Sequence, residues 1–93
     1  MDVATKFGRN LFLSRKRACF SQEELARRAG LHRTEIGLLE NGRRMPRLDT
    51  LVRLIGALGV PPAELLRGIS WEVDGSRPDA GRYAFGPFSG DRP

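Results

Sequence analysis

Few residues in this chain are equipped for covalent or metal chemistry. There is one cysteine, Cys19, and one histidine, His32. A disulfide within the chain is therefore impossible, and a zinc site built from the protein alone lacks ligands. No nucleophile–base pair, carboxylate pair, phosphate-binding glycine loop or metal-ligand spacing is visible. An enzyme is not the expectation, and no cofactor is implied. What the residue types do offer is positive charge. Arg43-Arg44-Met45-Pro46-Arg47 is a basic loop. Residues 1–68 hold 13 Lys and Arg against 7 Asp and Glu, an excess of +6, whereas residues 69–93 hold 3 against 4, or −1. Charge concentrated in this way draws a polyanion toward one part of the chain. A basic surface also keeps small proteins soluble, so charge alone leaves nucleic-acid binding and plain solvation both open.

Any such chemistry needs elements to position it. The chain has 93 residues, enough for one domain with an appendage. A chain this short sits near the lower limit for a self-sufficient core, and short-linked helices are an economical way to build one. Val3 to Cys19 suits a helix, with Phe7, Leu11 and Ala18 on one stripe at helical spacing. Arg15, Lys16 and Arg17 read as its solvated face. Ser21-Gln22-Glu23-Glu24 has the form of a capping box: Ser21 accepts from the Glu24 amide, and the Glu24 side chain can return to the Ser21 amide. The second helix runs to about Ala29, and Gly30 stands where a left-handed terminator belongs. A third covers about Arg33 to Glu40 and closes at Asn41-Gly42. A fourth has Asp49 in its first turn and Leu51, Leu54, Ile55 and Leu58 as its stripe, with Gly59 at its end. Pro61-Pro62 opens a short fifth, with Leu65 and Leu66 facing inward and Gly68 stopping it. Leu25, Ala26, Ala29, Ile36, Leu39, Leu51, Leu54, Ile55 and Leu58 form the expected core. Cys19 reads as an inert packed residue. Glu40 reads as structural, paired internally with an arginine.

Beyond Gly68 the period changes. Ile69, Trp71 and Val73 alternate with Ser70, Glu72 and Asp74, and Tyr83 and Phe85 repeat the pattern. Period two is the signature of half-buried strands, here a hairpin with a long connector from Gly75 to Gly81. A disordered tail is the alternative. It is disfavoured by four aromatics in a short stretch, Trp71, Tyr83, Phe85 and Phe88, because disordered segments are aromatic-poor. No apolar run reaches the roughly 18 residues of a membrane helix, and Met1 to Lys6 lacks a signal-peptide pattern. The expectation is a cytoplasmic protein with no membrane partner.

Two short helices about a tight glycine turn meet at a steep angle, which lets the second enter the DNA major groove, about 12 Å wide. Ser21-Gln22-Glu23-Glu24-Leu25-Ala26, Gly30-Leu31, Ile36, Leu39-Glu40-Asn41-Gly42, Pro46, Leu51 and Ala57-Leu58-Gly59-Val60 together resemble the Cro and phage-repressor type of helix-turn-helix, also called the xenobiotic-response-element family. The resemblance covers about residues 5–67 and many ordered positions. It implies an all-α, compact five-helix lambda-repressor-like domain over residues 1–68, with residues 69–93 as a C-terminal extension. It also implies a sequence-specific transcriptional regulator that binds double-stranded DNA as a homodimer.

Carried over residue by residue, Gln22 is the phosphate clamp at the start of the second helix. Arg33, Thr34 and Leu38 are outward positions of the recognition helix, with Arg33 suited to bidentate bonding with guanine O6 and N7. His32 lies near that helix start. Asn41, Arg43 and Arg44 belong to the loop that meets the DNA backbone and so position the protein without reading sequence. The chain departs from the family pattern at four places. His32 and Arg47 replace capping residues, Gly37 lies inside the recognition helix, and Leu38 is apolar where polar readers are common. An antitoxin-like module that binds a partner protein through the extension and autoregulates its operon is the competing reading.

Overall fold

The computed structural model describes residues 1–86. Five helices come first: α1 (Val3–Arg17), α2 (Gln22–Ala29), α3 (Arg33–Glu40), α4 (Leu48–Leu58) and α5 (Pro62–Leu65). Two strands follow, β1 (Ile69–Asp74) and β2 (Arg77–Phe85), paired antiparallel. The helical part matches expectation, but the chain as a whole is not all-α. Alternating β-branched and aromatic residues after Gly68 favour strand geometry over any helical continuation.

The helix ends follow from local chemistry. Asp2 Oδ1 accepts from the Thr5 amide at 2.8 Å and starts α1. Ser21 Oγ accepts from the Glu24 amide at 3.0 Å and starts α2. The reciprocal half of the capping box is not used, because Glu24 is taken by Arg27 at 2.6 Å and Arg28 at 2.5 Å on its own helix. Gly30 and Gly59 close α2 and α4 with φ of 69° and 68°, a region where a Cβ is unfavourable. α1 ends two residues earlier than expected. Cys19 takes φ 62°, and its amide and that of Phe20 bond back to Lys16 and Arg15 oxygens. This tight reversal turns Cys19 outward, so it is exposed rather than packed.

Phe7, Leu11, Leu25, Ala26, Ala29, Ile36, Leu39, Leu54 and Leu65 form the buried core. Leu51, Ile55 and Leu58 only pack against its edge. α4 therefore lies on the flank of the bundle and buries one narrow line centred on Leu54. Leu66 does not face inward as expected, because α5 ends at Leu65 and the chain turns away there; Leu66 is exposed. Two contacts invisible in the sequence lock α1 in place. A Cβ on Gly8 would lie 2.4 Å from the Leu39 carbonyl oxygen, so α1 crosses the end of α3 backbone to backbone. Buried Asn10 donates through Nδ2 to the Leu65 and Arg67 carbonyls at 3.0 and 2.9 Å, which satisfies the end of α5.

In the sheet, Ile69 faces Phe85, Trp71 faces Tyr83 and Glu72 faces Arg82. The expected connector from Gly75 to Gly81 is not one loop. Asp74 pairs with Arg77 across the turn Gly75-Ser76, while Val73 pairs with Gly81. The surplus residues 78–80 are thus absorbed as a bulge within β2. Asp74 Oδ1 holds the turn, accepting from the Ser76 amide and hydroxyl at 2.9 Å. Phe88 and the rest of residues 87–93 lie outside the described residues.

Candidate nucleic-acid interface

α2 and α3 pack on each other through Leu25, Ala26, Ala29, Ile36 and Leu39. The turn between them is held by two donors: the Leu31 amide bonds to the Ala26 carbonyl at 2.9 Å, and Arg53 Nη1 from α4 bonds to the Gly30 carbonyl at 3.1 Å. With Ile36 and Leu39 buried inward, the opposite face of α3 is free. Arg33 and Thr34 are exposed on it, and Leu38 is half-buried. Gly37 meets no atom within 4 Å of an added Cβ, so nothing inside the protein requires glycine there. His32 occupies the cap position of α3, is exposed, and makes no side-chain cap bond.

The far end of α3 is anchored by a buried polar cluster. Arg15 from α1 donates to both carboxylate oxygens of Glu40, through Nε at 2.5 Å and Nη2 at 3.0 Å. Its Nη1 donates to the Phe20 carbonyl at 2.9 Å. Hydrogen bonding to Glu40 raises the guanidinium pKa further above its ordinary value. Gln22 Nε2 donates to Glu40 Oε1 at 3.0 Å. One carboxylate thus ties α1, the start of α2 and the end of α3 together. An amide nitrogen carries two protons, so Gln22 keeps one donor for an outside acceptor. Arg15 belongs to this cluster and not to a solvated face, contrary to the sequence expectation. The reading of Glu40 as an internally paired acid is met by Arg15.

Asn41, Arg43 and Arg44 follow directly and are all exposed. The Arg43 amide bonds to the Leu38 carbonyl at 3.0 Å and sets the loop's exit from α3. Arg44 Nη1 pairs with Glu35, and Arg33 Nε lies 3.2 Å from Glu23. Among the described residues Arg43 has no ion-pair partner. The structure therefore brings Gln22 and Asn41 to the Glu40 end of α3 and places Arg33, Thr34 and His32 at the other. Arg53 and Arg15 were missed in the sequence. A lone Arg on a mixed helix carries no mark of the carbonyl or carboxylate it will meet in space. Among the described residues no group of His, Cys, Asp and Glu is arranged to hold a metal, and no helix is long and apolar enough to cross a membrane.

Fold and surface together define a five-helix helix-turn-helix protein. The helix-turn-helix family HTH_3 matches residues 14–65. An uncharacterized HTH-type transcriptional regulator, y4dJ of Sinorhizobium fredii, is 38% identical over 66 residues, covering 71% of this chain and 86% of that protein. Control protein C.SmaI of Serratia marcescens is 39% identical over 66 residues, covering 71% of this chain and 79% of its own. Among solved structures, the restriction-modification controller protein C.AhdI of Aeromonas hydrophila superposes with a TM-score of 0.65 at 39% identity, covering 67% of this chain and 94% of that one. The chain belongs to the helix-turn-helix family of the Cro and phage-repressor type. It is a DNA-binding regulator of transcription, not an enzyme.

Proposed function

We propose that the chain binds operator DNA as a homodimer, each copy laying α3 in the major groove. The observation that carries this is the exposure of Arg33 and Thr34 on a helix whose other face is locked into the core. A rigid helix presents its donors without ordering cost, which favours specific contacts. Arg33 donates bidentately to guanine O6 and N7, Thr34 touches a thymine methyl or a phosphate, and Leu38 adds an apolar contact. His32 lies against the backbone at the helix start. Gln22 uses its spare amide proton on a phosphate, and Asn41, Arg43 and Arg44 meet phosphates beyond the far end. Residues 1–68 are the DNA-binding domain, and residues 69–93 are an extension outside the DNA contact. Half-sites stand about one helical turn apart, as two-fold binding on a pseudo-palindrome requires.

The test begins with selection of bound sequences from a random DNA pool. On the selected site, Arg33→Ala loses about 1–3 kcal/mol of discrimination at one base position. Arg43→Ala weakens all sequences alike. Two loop arginines per copy give a dimer slope of about −4 for log affinity against log salt. A salt-independent affinity, or identical behaviour of the two variants, overturns the assignment.

A further inference from the structure

The ribbon formed by β1 and β2 has two unlike faces. On one, Glu72 and Arg82 pair across the strands at 3.0 Å, beside Ser70 and Ala84. That face is polar and neutral, and suits water. On the other, Trp71 and Tyr83 meet edge to face with ring centroids 5.0 Å apart. Val73 continues the row opposite Gly81. The Trp71 ring lies across Gly81, where an added Cβ would come within 2.6 Å of it. Only the base of this face is covered: Ile69 packs against the helical core. Farther out, Trp71, Val73 and Tyr83 stay 54%, 61% and 58% exposed.

We propose that this aromatic face is covered by the same face of a second copy, so that two ribbons stack about a two-fold axis. The inference rests on the dimeric DNA-binding reading and names the surface that makes the dimer. Three observations select a second copy. First, among the described residues the helical core supports this ribbon only at Ile69, and a two-stranded sheet gains stability by stacking its apolar face on another sheet. Second, Trp71, Val73 and Tyr83 leave about 300 Å² of apolar side chain open per copy, from aromatic areas of 150–250 Å². Two such faces bury about 600 Å² from these three residues alone, which places the contact among small, weak and reversible associations. Third, residues 69–86 carry Glu72, Asp74 and Asp79 against Arg77 and Arg82, so two ribbons approach with little repulsion and DNA is not attracted to them. The competing apolar surface, Leu48 and Val52 on α4, is flanked by Arg53 and by the Arg47–Asp49 ion pair at 3.4 Å. Two copies meeting there would have to desolvate these charged groups in each copy.

Sedimentation velocity of the full chain without DNA tests the surface, and circular dichroism confirms that each variant keeps its helices. The wild type sediments as a dimer with a dissociation constant in the micromolar range expected of a small interface. Trp71→Ser/Tyr83→Ser sediments as a helical monomer. Val73→Lys keeps the Trp71–Tyr83 pair but places like charges across the two-fold, and it raises the dissociation constant tenfold or more. A wild-type monomer overturns the inference, as does a dimer that survives both variants, which would place the contact on the helical body. Either result leaves DNA binding by the wild type standing. Absence of sequence-selective DNA binding by a wild-type dimer would instead overturn the function.

Discussion

Removing the charge of Glu40 should do more damage than any surface substitution in this chain. The Arg15 and Glu40 side chains are only 9% and 5% exposed, so Glu40→Gln leaves a guanidinium buried against a neutral amide. Breaking a buried pair on one side costs about 3–5 kcal/mol. A chain of this length has a total stability of about 5–14 kcal/mol, so the loss is a large share of the whole. At about 4–8 °C per kcal/mol for a domain of this size, Tm should fall by roughly 12–40 °C. Urea and thermal unfolding followed by far-UV circular dichroism read this directly. Arg15→Met should cost a similar amount, as should Glu40→Leu, and Arg15→Met/Glu40→Leu much less than the sum of those two singles, giving a coupling of about 2 kcal/mol or more. Single losses below about 1 kcal/mol, as exposed pairs give, or simple additivity in the double variant, would refute the argument. Gln22 adds a functional readout: in Glu40→Leu it loses its Glu40 acceptor, so DNA affinity measured well below Tm should weaken at equal folded fraction.

Gly37→Ala should stabilise the protein by about 0.5–1 kcal/mol, since helix propensity improves and the position is open; unchanged DNA affinity in the same variant would show that the backbone at Gly37 does not approach the duplex closely. Gly8→Ala should destabilise by about 1–3 kcal/mol, because its Cβ collides with the Leu39 carbonyl, and a neutral urea midpoint would refute that close crossing. Hydrogen bonds from Arg27 and then Arg28 hold the Glu24 carboxyl below its ordinary pKa. The folded state thus binds that proton less readily than the unfolded chain. The associated stability is present above the usual carboxylate range and is lost as pH falls through the lowered value. NMR titration should find Glu24 low in the wild type and back in the ordinary range in Arg27→Ala/Arg28→Ala.

Helix existence and helix ends were legible in the residues, because their causes are local. Ser21 and Gly30 bracket α2 by bonds and backbone angles that involve only near neighbours. The inward stripe from Leu25 to Leu39 followed from helical periodicity, while the outward places of Arg33 and Thr34 were implied by the family resemblance. The alternation from Ile69 to Val73 and at Tyr83 and Phe85 likewise announced strands. Other features depended on which distant groups meet. Arg15 looks like its neighbours Lys16 and Arg17 along the chain, yet packing of α1 over the end of α3 buries it against Glu40, 25 residues away. The same crossing demands glycine at position 8 and turns Asn10 toward the end of α5. Cys19 faces water because the reversal into α2 needs a left-handed residue there, and the three-residue slip in β2 arises from competition between a tight turn and the pairing of Trp71 with Tyr83. Local bonding therefore wrote the helix-turn-helix and its outer face into the sequence, while the buried charge that steadies it, and the bare aromatic face beside it, came into being only when remote segments packed together.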